Sequence, residues 1–269
     1  MNRPPDPADD MLFYNRLAWD HQVRKKNRWT IPVSPEEIQR ARNDDWQIVL
    51  TPEKPVPREW FPDFRARPFE VLCLAGSGGQ QAPILAAAGA KVTVLDNSPG
   101  QLTQDQLVAD REGLSLRLIQ GDMADLSVFD DQSFDLIVHP CSNTFVSDVL
   151  PVWKEAARVM KVGADLLSGI VNPIVYLFDD ELMEKGEFKV RHKIPYSDLT
   201  SLSAQQKKAL IDQQEPFCFG HTLADQLGGQ TEAGLAITGL FEDGWSDWPI
   251  SDFIPTFIAT KSTKIGPVK

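Results

Sequence analysis

Cysteine is scarce in this chain of 269 residues: Cys73, Cys141 and Cys218 are all it has. The number is odd, the spacing is wide and no Cys-x-x-Cys occurs, so neither a disulfide framework nor a zinc site is expected. Histidine is almost as sparse, and His21, His139, His192 and His221 show no metal-ligand spacing. No apolar run approaches the roughly 20 residues of a membrane-spanning helix. The polar, proline-rich start Met1–Asp10 lacks the apolar stretch of a secretory signal. The cytoplasm is the expected compartment, with no membrane partner. Positive charge is also in short supply: 27 Lys and Arg against 38 Asp and Glu give a formal net charge of −11 and a pI of about 4.8. A surface of that sign repels phosphate backbones, so DNA and RNA are poor partners. What remains, 42% hydrophobic and 24% charged residues, is the composition of a globular protein. A chain of this size buries a core without staples, and a monomer or homodimer is expected.

Prolines punctuate residues 1–67 from Pro4 to Pro62, which predicts short helices and loops rather than sheet. Within them, Ser34-Pro35-Glu36-Glu37 reads as a helix start: an N-cap, a proline at the first position and a Glu at the third. From Phe69 the pattern changes. Apolar runs at Phe69–Ala75, Lys91–Asp96, Leu114–Gln120, Phe134–His139 and Ala164–Val171 predict strands. Helices are expected between them over Gln80–Ala88, from the Ser98-Pro99 cap to a stop at Gly113, and from about Asp148 to Lys161. Strands alternating with helices imply parallel strands joined by right-handed crossovers. The expected fold is therefore α/β, an open doubly wound sheet. Residues 173–216 break the alternation and read as an insertion folded over the sheet edge, with Phe188–Tyr196 extended. A helix over His221–Gln230 and two strands, Leu235–Phe241 and Phe253–Thr260, close the sheet as an antiparallel pair. The expected organisation is a helical and looped N-terminal lid over 1–67, a ligand-binding half over 68–172, an inserted substrate cap over 173–216 and a closing segment over 217–269.

Ligands of such sheets sit outside the carboxyl ends of the strands, where the strand order reverses. Three strand ends carry suitable residues. The first strand runs into Ala75-Gly76-Ser77-Gly78-Gly79, a turn whose glycines let backbone approach a ligand closely. The second ends on Asp96, whose carboxylate can accept from both hydroxyls of a ribose. The third runs into Gly121-Asp122-Met123, where Asp122 can accept from an adenine amino group and Met123 can pack on the ring. A tight connection, a helix-proximal acid and an ordinary turn Asp explain each feature singly. Their occurrence at three successive strand ends favours a nucleoside site.

Taken in order, Val71–Gly79, Val92–Asp96, Gln120–Met123, Ser133–Ile137 and Arg158–Gly163 resemble the class I S-adenosylmethionine-dependent methyltransferases, and within them the small-molecule branch with the generic methyltransferase domain. The resemblance covers roughly Phe69–Val171. It implies a Rossmann-like, mostly parallel seven-stranded sheet, S-adenosyl-L-methionine as cofactor, and in-line methyl transfer to a small-molecule acceptor. It also implies site residues. Ala75, Gly76, Ser77 and Gly79 would face the methionine part, Asp96 the ribose with Asn97 or Ser98 beside it, Asp122 and Met123 the adenine, and His139 and Pro140 the methionine side. Two positions depart from the family: its strand acid is Cys73 here, and the first glycine of its turn is Ala75. The missing acid is one that can orient the methionine amino group. Where the acceptor must lose a proton, His139 and then His221 are the candidate bases, although a structural or capping histidine is an equal reading of each. His21, Tyr14, Trp19 and Trp29 form an aromatic group suited to a lid. A metal-dependent reaction has no acidic triad to support it.

Three rival readings share parts of this pattern. A nicotinamide-dependent oxidoreductase would share the first turn and Asp96, but the dinucleotide fingerprint needs a small residue where Gln81 stands. A serine hydrolase elbow could be read at Ser77, but residues 1–67 supply none of the strands that precede such an elbow. A non-catalytic protein that binds S-adenosylmethionine would carry the same motifs.

Overall fold

The computed structural model describes residues 6–76 and 78–266. Ser77 therefore lies outside the described residues. The first half alternates as the hydrophobic pattern requires: β1 Glu70–Leu74, α3 Gln81–Ala87, β2 Lys91–Asp96, α4 Pro99–Glu112, β3 Leu116–Gln120, β4 Phe134–His139, α5 Leu150–Val159 and β5 Met160–Val171. Before them come α1 Met11–Arg24 and α2 Pro35–Arg42, and after them a closing pair, β8 Leu235–Asp243 and β9 Phe257–Lys264. Among the described residues these strands form one seven-stranded sheet in the order β3-β2-β1-β4-β5-β9-β8, in which β9 runs antiparallel to both neighbours. The order reverses between β1 and β4, which opens a crevice at their carboxyl ends.

Both faces of the sheet are covered, and β1 shows why. Val71 and Cys73 point to one side, into a core with α3 and the segment Trp46–Phe64. Leu72 and Leu74 point to the other, against α5, Leu126 and Phe129. The two-residue period of a strand thus feeds two cores, and all four side chains are fully buried. Trp153 of α5 anchors the second core, with its indole N–H donated to Asp225 O at 3.0 Å.

Local signals set the helix ends. Ser34 and Glu37 form a reciprocal capping box on α2. Ser98 caps α4, Pro99 starts it and Gly113 ends it in the left-handed conformation. Other boundaries shift for non-local reasons. The expected helix to Lys161 stops at Val159, because Arg158 O and Val159 O are claimed by Gln132 N and Ser133 N, and Met160 already pairs with Phe134. The last strand begins at Phe257 rather than Phe253, since Pro255 has no N–H to give a ladder. Residues 188–196 are not one extended run. Val190 forms a single bridge with Phe178, and only Tyr196–Ser197, β6, pairs with Phe219–Gly220, β7. The 173–216 segment otherwise holds three short helices, Asp180–Met183, Asp198–Ser201 and Ala204–Gln213. The helix after His221 is wound as a π-helix over Ala224–Gly228 before its last turn, Gly229–Glu232. No helix among the described residues is long and apolar enough to cross a membrane.

Candidate functional site

A cavity of about 390 Å³ runs along the carboxyl edge of the sheet. Its lining passes from Gly121, Asp122 and Met123 after β3, through Asp96 and Asn97 at β2, Ala75 and Gly76 at β1, and Pro140 and Cys141 at β4, to Val171 at the end of β5 and Phe257 at the start of β9. Five strand steps separate β3 from β9, roughly 24 Å at the usual spacing. Its size is that of a small-molecule site.

At the β2 end, Asp96 is buried and its Oδ1 accepts Ser98 N at 2.8 Å. Burial raises its carboxyl to about 7, the Ser98 bond opposes the rise, and Asp20 nearby adds to it. This acid has an acidic neighbour and sits in the wall of a cavity, so a ligand with hydroxyl donors suits it. Asn97 lines the cavity and is tied to α1, accepting Arg16 Nε at 3.0 Å and donating to Leu12 O at 2.8 Å. At the next strand end, Asp122 Oδ1 accepts Ala124 N at 2.9 Å, which holds the turn that presents Met123 to the cavity.

The glycine turn divides in two. Ala75 and Gly76 line the cavity. Ala75 holds a φ of 48°, a conformation that costs a side-chain-bearing residue about 1–2 kcal/mol. Both of its backbone groups are tied, with N donated to Leu95 O and O accepting from the Ser142 hydroxyl, which holds the alanine in a glycine's conformation. Gly78 and Gly79 turn away instead. Their N–H groups go to Gln101 Oε1 and Asp105 Oδ1 of α4, each at 3.0 Å. A Cβ on Gly79 would meet Pro32 Cβ at 2.8 Å. Gly79, expected beside the methionine part, is thus placed against α4 and Pro32 and is not among the lining residues. Ser98, expected beside the ribose, is likewise absent from the lining. It is 1% exposed, caps Gln101 N and donates to Asp20 Oδ1, so it holds α4 and α1 together and does not face the cavity.

His139 and His221, expected as candidate bases and His139 also as a cofactor contact, fall outside the lining. His139 is fully buried, with Nδ1 2.8 Å from Leu74 O and Nε2 2.7 Å from Asn143 Oδ1, and its ring meets Trp153 edge-on. Burial lowers its pKa against the opposing pull of those two bonds. His221 is buried with Nε2 on Asn143 O at 3.0 Å. Each histidine braces the loop after β4. Replacing His139 by Leu is expected to destabilise the fold by about 2–4 kcal/mol in urea, because buried partners lose their bonds. A histidine kept neutral inside contributes stability above its ordinary value of 6.5, and that contribution fades as pH falls below it. The penalty of the substitution is therefore expected to shrink from pH 8 to pH 5.5.

The far end of the cavity is built from distant parts of the chain. Trp19 and Trp29 come from the N-terminal segment, Leu50 and Thr51 from the strap before β1, Tyr176 and Cys218 from the insertion and its exit, and Trp245 and Trp248 from the β8–β9 loop. Ring packing fixes these walls: Tyr176 stacks on Tyr196 at 5.2 Å, Trp248 on Phe257 at 5.4 Å, and Trp29 meets Trp245 edge-on at 6.0 Å. Of the aromatic group expected in a lid, Trp19 and Trp29 reach the cavity, whereas Tyr14 is buried against Phe217. Among the described lining residues, Asp96 and Asp122 are the only carboxylic acids, and no Lys, Arg or His is present. Reading the sequence missed the insertion and loop residues because nothing local marks them; the Trp245-Ser246-Asp247-Trp248 cluster was the one visible sign.

Comparison with known proteins identifies the fold and the family. Residues 72–168 match the family model described as a methyltransferase domain. Over 255 residues the chain is 49% identical to YbaJ, an uncharacterized methyltransferase of Bacillus subtilis (strain 168), covering 95% of this chain and 99% of that protein. The chain belongs to the class I S-adenosylmethionine-dependent methyltransferases. Solved structures add the fold. An S-adenosylmethionine-dependent methyltransferase from Mesorhizobium loti superposes with a TM-score of 0.57 at 17% identity, over 77% of this chain and 94% of that one. One from Methanosarcina mazei gives 0.52 at 18%, over 77% and 95%. The enzyme is thus a methyltransferase on a Rossmann-like sheet, and the dehydrogenase and hydrolase readings fall away.

Proposed function

We propose that the enzyme transfers the methyl group of S-adenosylmethionine to an uncharged, flat, largely apolar small molecule held at the β5–β9 end of the cavity. The single observation that carries this is the distribution of charge in the lining: both carboxylates sit at the β2–β3 end, and the remainder is neutral and mostly apolar, with Tyr176, Trp245, Trp248 and Phe257 at the β5–β9 end. In this reading Asp122 and Met123 hold the adenine, Asp96 with Asn97 the ribose, and Ala75, Gly76 and Pro140 flank the methionine part. The N-terminal segment 1–67 serves as lid and the 173–216 insertion as cap, since Met11, Leu12, Trp19 and Tyr176 enclose the cavity. When bound, the cofactor supplies an electrophilic methyl on a sulfonium sulfur.

The chain's own contribution is alignment and exclusion of water. Trp245, Trp248 and Phe257 form rigid walls against which a flat acceptor is oriented. The Tyr176 and Cys141 side chains at the β5–β9 end are poorly suited to remove a proton. Burial holds the Tyr176 phenol well above its ordinary range, and its hydroxyl is engaged with Thr144. Burial likewise raises the Cys141 thiol, which donates to Leu50 O at 3.2 Å. The acceptor therefore brings its own nucleophilicity and releases its proton to solvent. A carboxylate or phosphate acceptor would meet no cation in the lining. A cationic one is opposed by Arg28, whose guanidinium already lies 4.7 Å from the Trp29 ring and 5.3 Å from that of Trp245.

The test compares ligands of one shape and different charge: 2-naphthol, 2-naphthoate and a naphthyl trimethylammonium salt, titrated into enzyme saturated with S-adenosylhomocysteine and followed by tryptophan fluorescence. The neutral ligand is expected to bind at least tenfold more tightly than either ion. Trp248→Ala is expected to weaken it about tenfold, the scale of a buried aromatic contact, with S-adenosylhomocysteine binding unchanged. Equal binding of a charged counterpart would rule this acceptor class out.

A further inference from the structure

Three lining residues, Thr51, Gln81 and Trp245, each hold a buried polar atom without a hydrogen-bond partner among the described residues, and that of Gln81 is an amide oxygen beside the glycine turn. Gln81, the first residue of α3, is 5% exposed and lines the cavity. Its Nε2 donates to Val49 O at 2.7 Å. A backbone carbonyl only accepts, so this bond fixes which end of the amide is which. Oε1 must then point the other way. It is buried and receives no hydrogen bond among the described residues. A buried acceptor without a donor is costly, and a ligand that brings a donor relieves that cost.

The place of this oxygen narrows the ligand group. A Cβ built on Gly76 would stand 3.8 Å from Oε1 and 3.7 Å from Cys73 Cβ. Oε1 therefore faces the mouth of β1, beside the only two residues of the glycine turn known to line the cavity, Ala75 and Gly76. Cys73, directly beneath, supplies no charge: it is fully buried and burial pushes its thiol pKa up. The glycine turn offers little to an anion here, because the N–H groups of Gly78 and Gly79 are spent on α4. The local chemistry thus asks for a hydrogen-bond donor rather than an acceptor.

The next step rests on the cofactor placement proposed above. With the nucleoside over Asp96 and Asp122, the amino-acid end of the cofactor lies at the mouths of β1 and β4. It carries three polar groups. The sulfonium has no proton to donate, the carboxylate only accepts, and the ammonium donates three N–H bonds. We infer that Gln81 Oε1 accepts a hydrogen bond from the methionine ammonium of S-adenosylmethionine, so that a neutral amide reads the amino group where strand β1 offers only a thiol. The Val49 carbonyl positions this amide, and Val49 belongs to the strap that also lines the acceptor end. The two halves of the site are therefore joined through one side chain.

The test is a comparison of two ligands across variants. Calorimetry gives dissociation constants for S-adenosylhomocysteine and for its desamino analogue, in which hydrogen replaces the ammonium. The wild-type enzyme is expected to prefer the amino ligand by roughly 10- to 100-fold, the worth of a hydrogen bond to a charged group. Gln81→Met, which keeps the length of the side chain, is expected to reduce that preference to within about threefold, and Gln81→Leu to do the same. The ratio of two affinities in one variant cancels any general loosening of α3 or the strap, which a structural role alone would produce. A wild-type enzyme with no preference, or a folded Gln81→Met that keeps the full preference, overturns the assignment while leaving the cofactor placement intact. Wild-type enzyme that binds neither ligand overturns the placement itself.

Discussion

Asp96→Ala is expected to weaken S-adenosylhomocysteine binding about a hundredfold or more, and at the same time to stabilise the ligand-free enzyme at neutral pH. The loss follows from two hydrogen bonds to a carboxylate, each worth about 1.5–3 kcal/mol when the acceptor is charged. The gain follows from the state of Asp96 without a ligand. Burial raises its pKa to about 7, so the folded protein holds a proton there that the unfolded chain gives up near its ordinary value of 3.8. A group with a raised folded pKa contributes stability that is fully present below the unfolded value and is lost as pH rises through the folded one. Ligand-free enzyme therefore loses this contribution between about pH 4 and pH 7, whereas the ribose hydroxyls favour the ionised acid. Binding should tighten as pH rises toward 7 and release a proton below it. The thermal shift produced by S-adenosylhomocysteine is expected to be larger at pH 8 than at pH 5.5, and Asp96→Asn to remove most of that difference. A wild-type shift that is the same at both pH values would be incompatible with the environment of Asp96, and undiminished binding in Asp96→Ala would remove the ribose from it.

Gly169→Ala is expected to separate the two ends of the cavity. Gly169 lies in the middle of β5, opposite Ala259 of β9, in an apolar run where an added methyl looks harmless. The structure says otherwise. A Cβ there would stand 2.2 Å from Leu50 O and 2.9 Å from Cys141 Sγ. Leu50 O is backbone and cannot rotate aside, so the strap Val49–Pro52 must lift off the sheet. That strap lines the acceptor end, receives the Cys141 thiol and holds Gln81. Overpacking of this kind costs about 1–3 kcal/mol, and displacing the strap is expected to bring the total loss to the upper part of that range in urea denaturation. Acceptor binding should fall at least tenfold, whereas S-adenosylhomocysteine, held mainly at β2 and β3, should weaken by less than about tenfold. Gly228→Ala is the control: a Cβ there meets nothing within 4 Å and its helical backbone suits alanine. Intact acceptor binding in Gly169→Ala would mean that the strap is no wall of the site.

These two residues mark how far the sequence could be read. Asp96 stands at a strand end, and the role proposed for it follows from position in a parallel sheet together with the acid at Asp122 one strand further on. Gly169 carries no such mark, because the atom it makes room for belongs to a residue more than a hundred positions earlier. The same contrast runs through the glycine turn. Its existence was legible, but the division of labour within it was not: Gly78 and Gly79 answer to Gln101 and Asp105 across the packed face of α4. Asp105 sits there as a buried acid with a raised pKa, and nothing in its helical sequence context signals that. The histidines err in the opposite direction. His139 ends a strand beside the crevice, as a base would, yet its ring turns under the strand ends to bind Leu74 O and Asn143.

The amino-acid sequence by itself determined the alternation of strands and helices, the capped ends of α2 and α4, the crevice between β1 and β4, and the acids that face it. All of these rest on local rules: side-chain period, hydrogen-bond capping within a few residues, and the fixed hand of the crossover. Only the tertiary structure decided which side chains enclose the far end of the cavity, that His139 and His221 lie outside its lining, that Ala75 is held in a glycine's conformation, and that Gln81 is left with one oxygen to offer. Those outcomes depend on surfaces brought together from Trp29, Leu50, Tyr176, Cys218 and Trp248. Whether such a side chain faces a ligand or a core is set by what packs behind it, and that partner lies far away along the chain.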